Sequence, residues 1–456
     1  MSEQDLERQR DVVRRALDRA RKAGAEAADA VLVEDESLEA RVRDTEIDFV
    51  KQAAERVLGI RALVAGQGGL CSAVTSTSDL SPEAVDRMAE ETVALARQTA
   101  PDPTAGLPDG GFAEDIPDLE LFDEGDRQVQ VDARIDDALR AESAARAVDP
   151  RIANSEGSQV GSGHGRIVYG NTAGFLGDYG SASHSLFSEP LAIDGDDKQR
   201  DYWMTVGRKL HDLEDPGAVG RHAAERALRR LGAKRVPTCE VPVLFDPITA
   251  PSLLRHLVSC VSGYAIYRDA SFLAGRLGEQ IASDLVTVVD DGRRPGGLGS
   301  KPFDGEGLPT RRNVVVESGR LETWLLDSYS GRKLGLPSTG NAARGAGSGP
   351  SVGATNLWLE PGQRSFEELV SEMDRGLLVT ELIGMGFNPV NGDYSRGAAG
   401  LWIEDGEVRH PVEEITIAGH LGDMLRDIDA VASELRWLGR VASPAVRVAQ
   451  MTVAGE

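Results

Sequence analysis

The sequence predicts an α+β fold: N-terminal α/β units followed by a large β-rich C-terminal domain with mostly antiparallel sheet. Three observations carry that expectation. Helical periodicity is confined to a few separated stretches, short β-prone runs divided by glycine turns fill most of the remainder, and 456 residues exceed what one ordinary core holds.

The first stretch, residues 3–23, is helical: Leu6, Val13, Leu17 and Ala20 recur at helix spacing, and Gly24 stands where a C-cap belongs. Strand-like segments follow at Ala30–Val33 and at Leu38–Val42, where apolar and charged residues alternate. Residues 57–65 and 69–75 predict a hairpin across Gly66–Gly69. Ser81-Pro82-Glu83 starts a helix that runs to about Thr99: a hydroxyl at the N-cap, proline in the first turn, then an acid. Residues 101–119 are rich in Pro, Gly and acids and read as a linker. A helix over 129–147, antiparallel strands over 151–205 and a helix from Asp215-Pro216 to Gly232 make a second unit, 120–233. Residues 237–456 form the third, with helices at Ser252–Ser262 and Ser365–Arg375 among strands such as Leu377–Ile383 and Val412–Ala418. The first unit is 1–100.

Charge and composition narrow the function classes. Acids number 74 against 50 basic residues, a net −24, and a surface of that sign repels phosphate backbones. The densest basic stretch, Arg226–Arg235, suits the C-terminal end of a helix. No nucleic-acid partner is expected, and no apolar run approaches a membrane span. The charged start Met-Ser-Glu-Gln-Asp lacks a following apolar stretch, and three widely spaced cysteines imply no disulfide framework. A cytoplasmic location is the expectation.

Chemistry-bearing residues are few. The seven histidines include no pair at i, i+4. His256 and Cys260 do share that spacing on the helix Ser252–Ser262, amid Leu253, Leu254, Leu257, Val258 and Val261. They read either as two ligands of a zinc site or as a packed pair on a core-facing helix. Two polar clusters stand out. Phe303-Asp-Gly-Glu-Gly307 sets Asp304 and Glu306 on a flexible loop that suits a metal or a peptide N-terminus. Asn391-Gly-Asp-Tyr-Ser-Arg-Gly397 packs Asn391, Asp393, Tyr394, Ser395 and Arg396 together. A solvated turn is the alternative for both.

These segments resemble the signature blocks of the TldD/PmbA family, the modulators of DNA gyrase, and in order: 282–292, 303–312, 325–335, 338–342, 391–400 and 411–419. The resemblance spans most of the C-terminal domain and, more loosely, the rest. It implies a heterodimeric metallopeptidase that cuts unfolded or extended peptides. In that family the TldD-type subunit carries zinc on H-E-x-x-x-H plus a tail cysteine, where the glutamate serves as base. Here the motif positions fall on Arg255, His256 and Cys260, and the tail reads Gly439-Arg-Val-Ala-Ser-Pro444. A cation replaces one ligand and the base is missing. The resemblance therefore implies the zinc-less PmbA/TldE type: no catalytic residue and no metal on this chain, and zinc on a TldD-like partner. Asp304, Glu306 and the 391–396 cluster are the candidate peptide-binding or interface residues. Alternatives are a free-standing peptide-binding or chaperone-like module, a peptidase with an atypical metal on His256 and Cys260, and a homodimer for the isolated chain.

Overall fold

A computed structural model describes residues 3–455. Its N-terminal half is built on long strands. Helix α1 (Glu3–Lys22) leads to β1 (Ala27–Arg43), β2 (Glu46–Gly66) and β3 (Gly69–Thr77), then α2 (Pro82–Ala96). After 101–119 come α3 (Val131–Arg146), β4 (Ile152–Asn171), β5 (Leu176–Asp194), β6 (Asp197–Arg200), β7 (Trp203–Gly207) and α4 (Pro216–Leu228). The strands form one antiparallel sheet in the order β3-β2-β1-β4-β5-β6, with β7 also on β5. It is continuous across the two N-terminal segments, because β1 pairs with β4 from Asp29↔Asn171 to Val42↔Ser158.

The period-2 alternation of β1 shows how this sheet is used. Ala28, Ala30, Leu32, Ala40 and Val42 are buried under the four helices, with Val13, Leu17, Val85 and Met88 at one end and Ile135, Ala138 and Val219 at the other. The opposite face carries Asp29 and Val31. Val31 joins Tyr169, Phe175, Phe303 and Ala346 in a cluster that couples the sheet to the C-terminal half. β1 and β2 are far longer than the short runs visible in the sequence. Their outer ends are polar, so alternation there gives no hydrophobic signal, and the turn Asp44-Thr45 uses positive φ without glycine.

The C-terminal half begins with β8 (Cys239–Phe245), α5 (Pro251–Val261) and α6 (Gly263–Tyr267). Then follow β9 (Val288–Asp291), β10 (Arg312–Glu317), β11 (Arg320–Leu321), α7 (Ser328–Leu334), β12 (Ala342–Ala343), β13 (Ser351–Val352) and β14 (Leu357–Leu359). The last elements are α8 (Phe366–Ser371), β15 (Arg375–Ile383), β16 (Asp393–Glu404), β17 (Glu407–His420), α9 (Leu421–Arg426), β18 (Ile428–Val431), β19 (Val441–Ala442) and β20 (Val446–Ala454). A six-stranded sheet, β17-β16-β15-β8-β20-β18, and a five-stranded one, β11-β10-β9-β14-β19, share one core. Most pairings are antiparallel; β15–β8 and β14–β19 are parallel. The α+β class with a β-rich C-terminal half is thus what the chain adopts. Helix α5 lies in that core through Leu253, Leu254, Leu257, Cys260 and Val261, a stripe at helical spacing. The helix expected to run to Arg375 ends at Ser371, because the chain turns there into β15.

Residues 101–119 contain no helix or strand, yet their first part is held. Asp102 exchanges backbone hydrogen bonds with Leu70, and Tyr329 Oη donates to its carboxylate at 2.7 Å. The Arg332 guanidinium donates to the carbonyls of Thr104, Leu107 and Gly106. This strap ties the N-terminal sheet to α7.

A further link between the halves is ionic. Asp29 is fully buried and accepts from both Arg61 on β2 and Arg344 beside β12. Burial opposes its ionisation, but the two guanidiniums outweigh burial and hold the carboxyl below its usual range. Beside it Gly59 touches the 346 carbonyl so closely that a Cβ would sit 1.7 Å from the oxygen, so no larger residue fits. Asp29→Ala would leave two buried cations without their anion. It is expected to lower unfolding free energy by about 3–5 kcal/mol in urea titration. A loss under about 0.5 kcal/mol, the size of an ordinary surface substitution, would contradict the link.

Candidate functional site

The block 282–342 builds a buried polar frame. Asp290 at the end of β9 accepts from Asn341 Nδ2 and from the Thr355 N–H, each at 2.6 Å. Burial pushes its carboxyl up to about 6 against those donors. Asp304 accepts from the N–H groups of Glu306, Leu308 and Ala342. Glu306 accepts from the Ser328 N–H at 2.8 Å, and Asp327 caps α7 through Ser330. Neither the flexible, ligand-binding loop nor the solvated turn describes Asp304 and Glu306: they are 2% and 1% exposed and accept from local backbone donors. They hold loops and cannot meet a peptide.

The cluster 391–397 also differs from a turn. Gly392 has φ 79°, and a Cβ there would strike the His420 ring. Asp393 then opens β16, pairing with His420 as Tyr394 pairs with Gly419. Asn391 and Asp393 are exposed and bond each other, Nδ2 to Oδ2 at 2.6 Å. Ser395 is exposed. Tyr394 is core, 1% exposed, so it is not a surface contact. Arg396, two residues on and thus on the same face of the strand, is half-buried.

That face meets α5. The His256 ring lies 5.8 Å from Tyr394, edge-on, and 4.4 Å from Phe387, which itself bridges Tyr394 across the strand. The structure thus brings His256, Tyr394 and Arg396 together, although 140 residues separate helix and strand (396 less 256). Arg255 is exposed beside them, and Arg440 precedes β19, which packs on α5. Arg396 and Arg440 lie close enough to repel the Arg255 cation. Burial first, then Arg396 and Arg255, depress His256 to about 4, so it is neutral at pH 7. Burial raises the Cys260 thiol to about 11, only partly offset by Ser259 and Ser271.

Does this set fit zinc? Among the described residues no three His, Cys, Asp or Glu side chains converge as ligands. Cys260 is fully buried and protonated, and guanidiniums cannot donate a lone pair to a metal. The residues present at α5 do not fit that ion.

A second concavity was illegible in the sequence. A cleft of about 600 Å³ opens on the N-terminal sheet, on the face opposite the helices, under residues 116–124. Asp35, Glu55, Arg56, Phe122, His164 and Tyr179 are among its lining. Burial, then Glu55, raises the Asp35 carboxyl. No helix among the described residues is long and apolar enough to cross a membrane.

Comparison with known proteins matches family models of the PmbA/TldA metallopeptidase along the chain: domain 1 over 28–96, the central domain over 124–231 and the C-terminal domain over 238–455. Metalloprotease PmbA of Escherichia coli O157:H7 is 39% identical over 456 residues, 99% of this chain and 98% of that one. A crystal structure from Bacteroides thetaiotaomicron, named for modulation of DNA gyrase, superposes with TM-score 0.89 at 27% identity and covers 98% of both chains. TldE from Thermococcus kodakarensis superposes with TM-score 0.87 at 25% identity, covering 97% of this chain and all of that one.

Glu306 gives this frame a pH signature. Burial, then Asp304, raises its carboxyl to about 7 despite the Ser328 N–H. A folded-state value above the unfolded one means the protonated form is favoured on folding, so this contribution is lost as pH rises from about 4.5 to about 7. Glu306→Gln keeps an acceptor for Ser328 and removes the charge. In denaturant titrations at pH 5 and pH 8 the variant is expected to lose less stability between the two than wild type, by roughly 3 kcal/mol at most. Identical pH dependence in both proteins would refute the assignment.

Proposed function

The chain belongs to the PmbA/TldD metallopeptidase family, and from that premise we propose that it is the zinc-less subunit of a two-subunit cytoplasmic peptidase. A TldD-like partner bearing H-E-x-x-x-H supplies zinc, the water nucleophile and the base. This chain closes the cleft and holds an unfolded or extended peptide, with main-chain bonds at a strand edge as one means.

One observation carries this reading: the α5 locus bears Arg255, a neutral His256 and a buried thiol in place of ligand, base and ligand. The likeness to TldE along the whole chain supports the same assignment. All three cysteines are free, which suits a reducing compartment. A peptidase using His256 and Cys260 is disfavoured, since raising the thiol to about 11 works against the thiolate a metal needs.

The test is reconstitution. The isolated chain, supplied with zinc, should leave an unfolded peptide intact, and adding the TldD-like subunit should start cleavage. His256→Ala in this chain should retain most of the complex's turnover. Zinc-dependent cleavage by the isolated chain, abolished by His256→Ala, would overturn the proposal.

A further inference from the structure

The groups around α5 are unfinished in a consistent way. Buried polar atoms there are poorly met: His256 Nε2 has no hydrogen-bond partner, and the Tyr394 hydroxyl and Arg396 have at most a marginal contact with each other, with Arg396 Nε unpartnered. Tyr394 is 1% exposed, so water does not readily complete it. The charges are unfinished too. Several arginines are tied to acids, as Arg61 and Arg344 are to Asp29, Arg226 to Asp201 and Asp246, and Arg447 to Asp429, and Arg208 and Arg332 are taken up by backbone carbonyls. Arg255, Arg396 and Arg440 pair with no carboxylate among the described residues, in a chain where acids outnumber basic residues by 24 (74 less 50). Three like charges brought together without a counter-ion raise the free energy of the site until an anion enters.

We propose that the guanidiniums of Arg255, Arg396 and Arg440, lying over the buried Tyr394 and His256, form a binding site for a carboxylate of the bound peptide. A carboxylate suits these donors because guanidinium forks meet its two oxygens in parallel. Exposed apolar residues flank the site on the 383–390 loop, Ile383, Met385 and Val390, beside the Phe387 ring that packs on His256. They offer apolar surface to side chains next to that carboxylate. The site rests on the peptide-holding reading for the identity of its ligand. That these three arginines lack a carboxylate partner among the described residues does not depend on that reading. In the assembled peptidase such a clamp would fix one charged end of an extended chain and so set its register against the partner's zinc.

The experiment uses the full chain and a fluorescent extended peptide in three forms: free C-terminal acid, C-terminal amide, and amide with one internal glutamate. Anisotropy gives the affinities for wild type and for an Arg255→Gln/Arg440→Gln double variant, both positions being exposed and outside the core. The free acid is expected to bind wild type about tenfold more tightly than the amide, and the double variant to bind the two alike with an unchanged melting temperature. The glutamate form matching the free acid assigns the site to acidic side chains; matching the amide, it assigns the site to the C-terminus. Equal binding of all three by wild type, or a preference that survives in the double variant, overturns the proposal. If no peptide binds, sodium acetate against sodium chloride decides. A rise in wild-type melting temperature lost in the variant upholds the anion site and places the failure on the peptide-holding reading. No such rise overturns the site.

Discussion

Asp29 is a buried ionic contact that helps to join the two halves of this molecule. A fully buried carboxylate is tolerated only when its charge is met, and two guanidiniums from different halves meet it here. That requirement fixes where the C-terminal loop around Arg344 lies on the sheet, and the close contact at Gly59 leaves no slack in the fit. With the sheet so placed, its helix-free face is committed at one end to the C-terminal half and open at the other, where the cleft under residues 116–124 lies.

The same logic runs through the C-terminal half. Asp290, Asp304, Glu306 and Asp327 are buried acids, each taken up by backbone N–H groups, hydroxyls or amides nearby. They stiffen loops that carry no regular structure and bring the segments after β9, β10 and α7 into one frame. The family-like blocks of the sequence are largely this frame. The resemblance therefore reports a shared architecture more directly than a shared catalytic site.

Which features were legible in the sequence follows from how local their causes are. Helix starts at Ser81-Pro82 and Asp215-Pro216 depend on a few adjacent residues, and both helices begin there. The reach of β1 and β2 was hidden because their outer ends are polar and are held by neighbouring strands. The burial of Asp304 and Glu306, taken from the sequence as candidate peptide-binding residues, was hidden because the N–H groups around them belong to a backbone conformation the sequence does not display. Tyr394 and Arg396 were recognisable as unusual, but their meeting with His256 depends on how β16 crosses α5. The cleft draws its lining from six separate stretches between residues 34 and 302, so no window of sequence contains its signal.

At α5 the fold preserves a helix suited to presenting ligands while the side chains present cations, a neutral imidazole and a buried thiol. On the proposed two-subunit reading, the metal lies on the TldD-like partner. Anomalous X-ray scattering at the zinc edge, from crystals of this chain with its TldD-like partner, locates the ion directly. The account predicts about one zinc per pair of chains, on the partner's helix, with no anomalous density near His256 or Cys260. An anomalous peak within bonding distance of His256 Nε2 or Cys260 Sγ would contradict it.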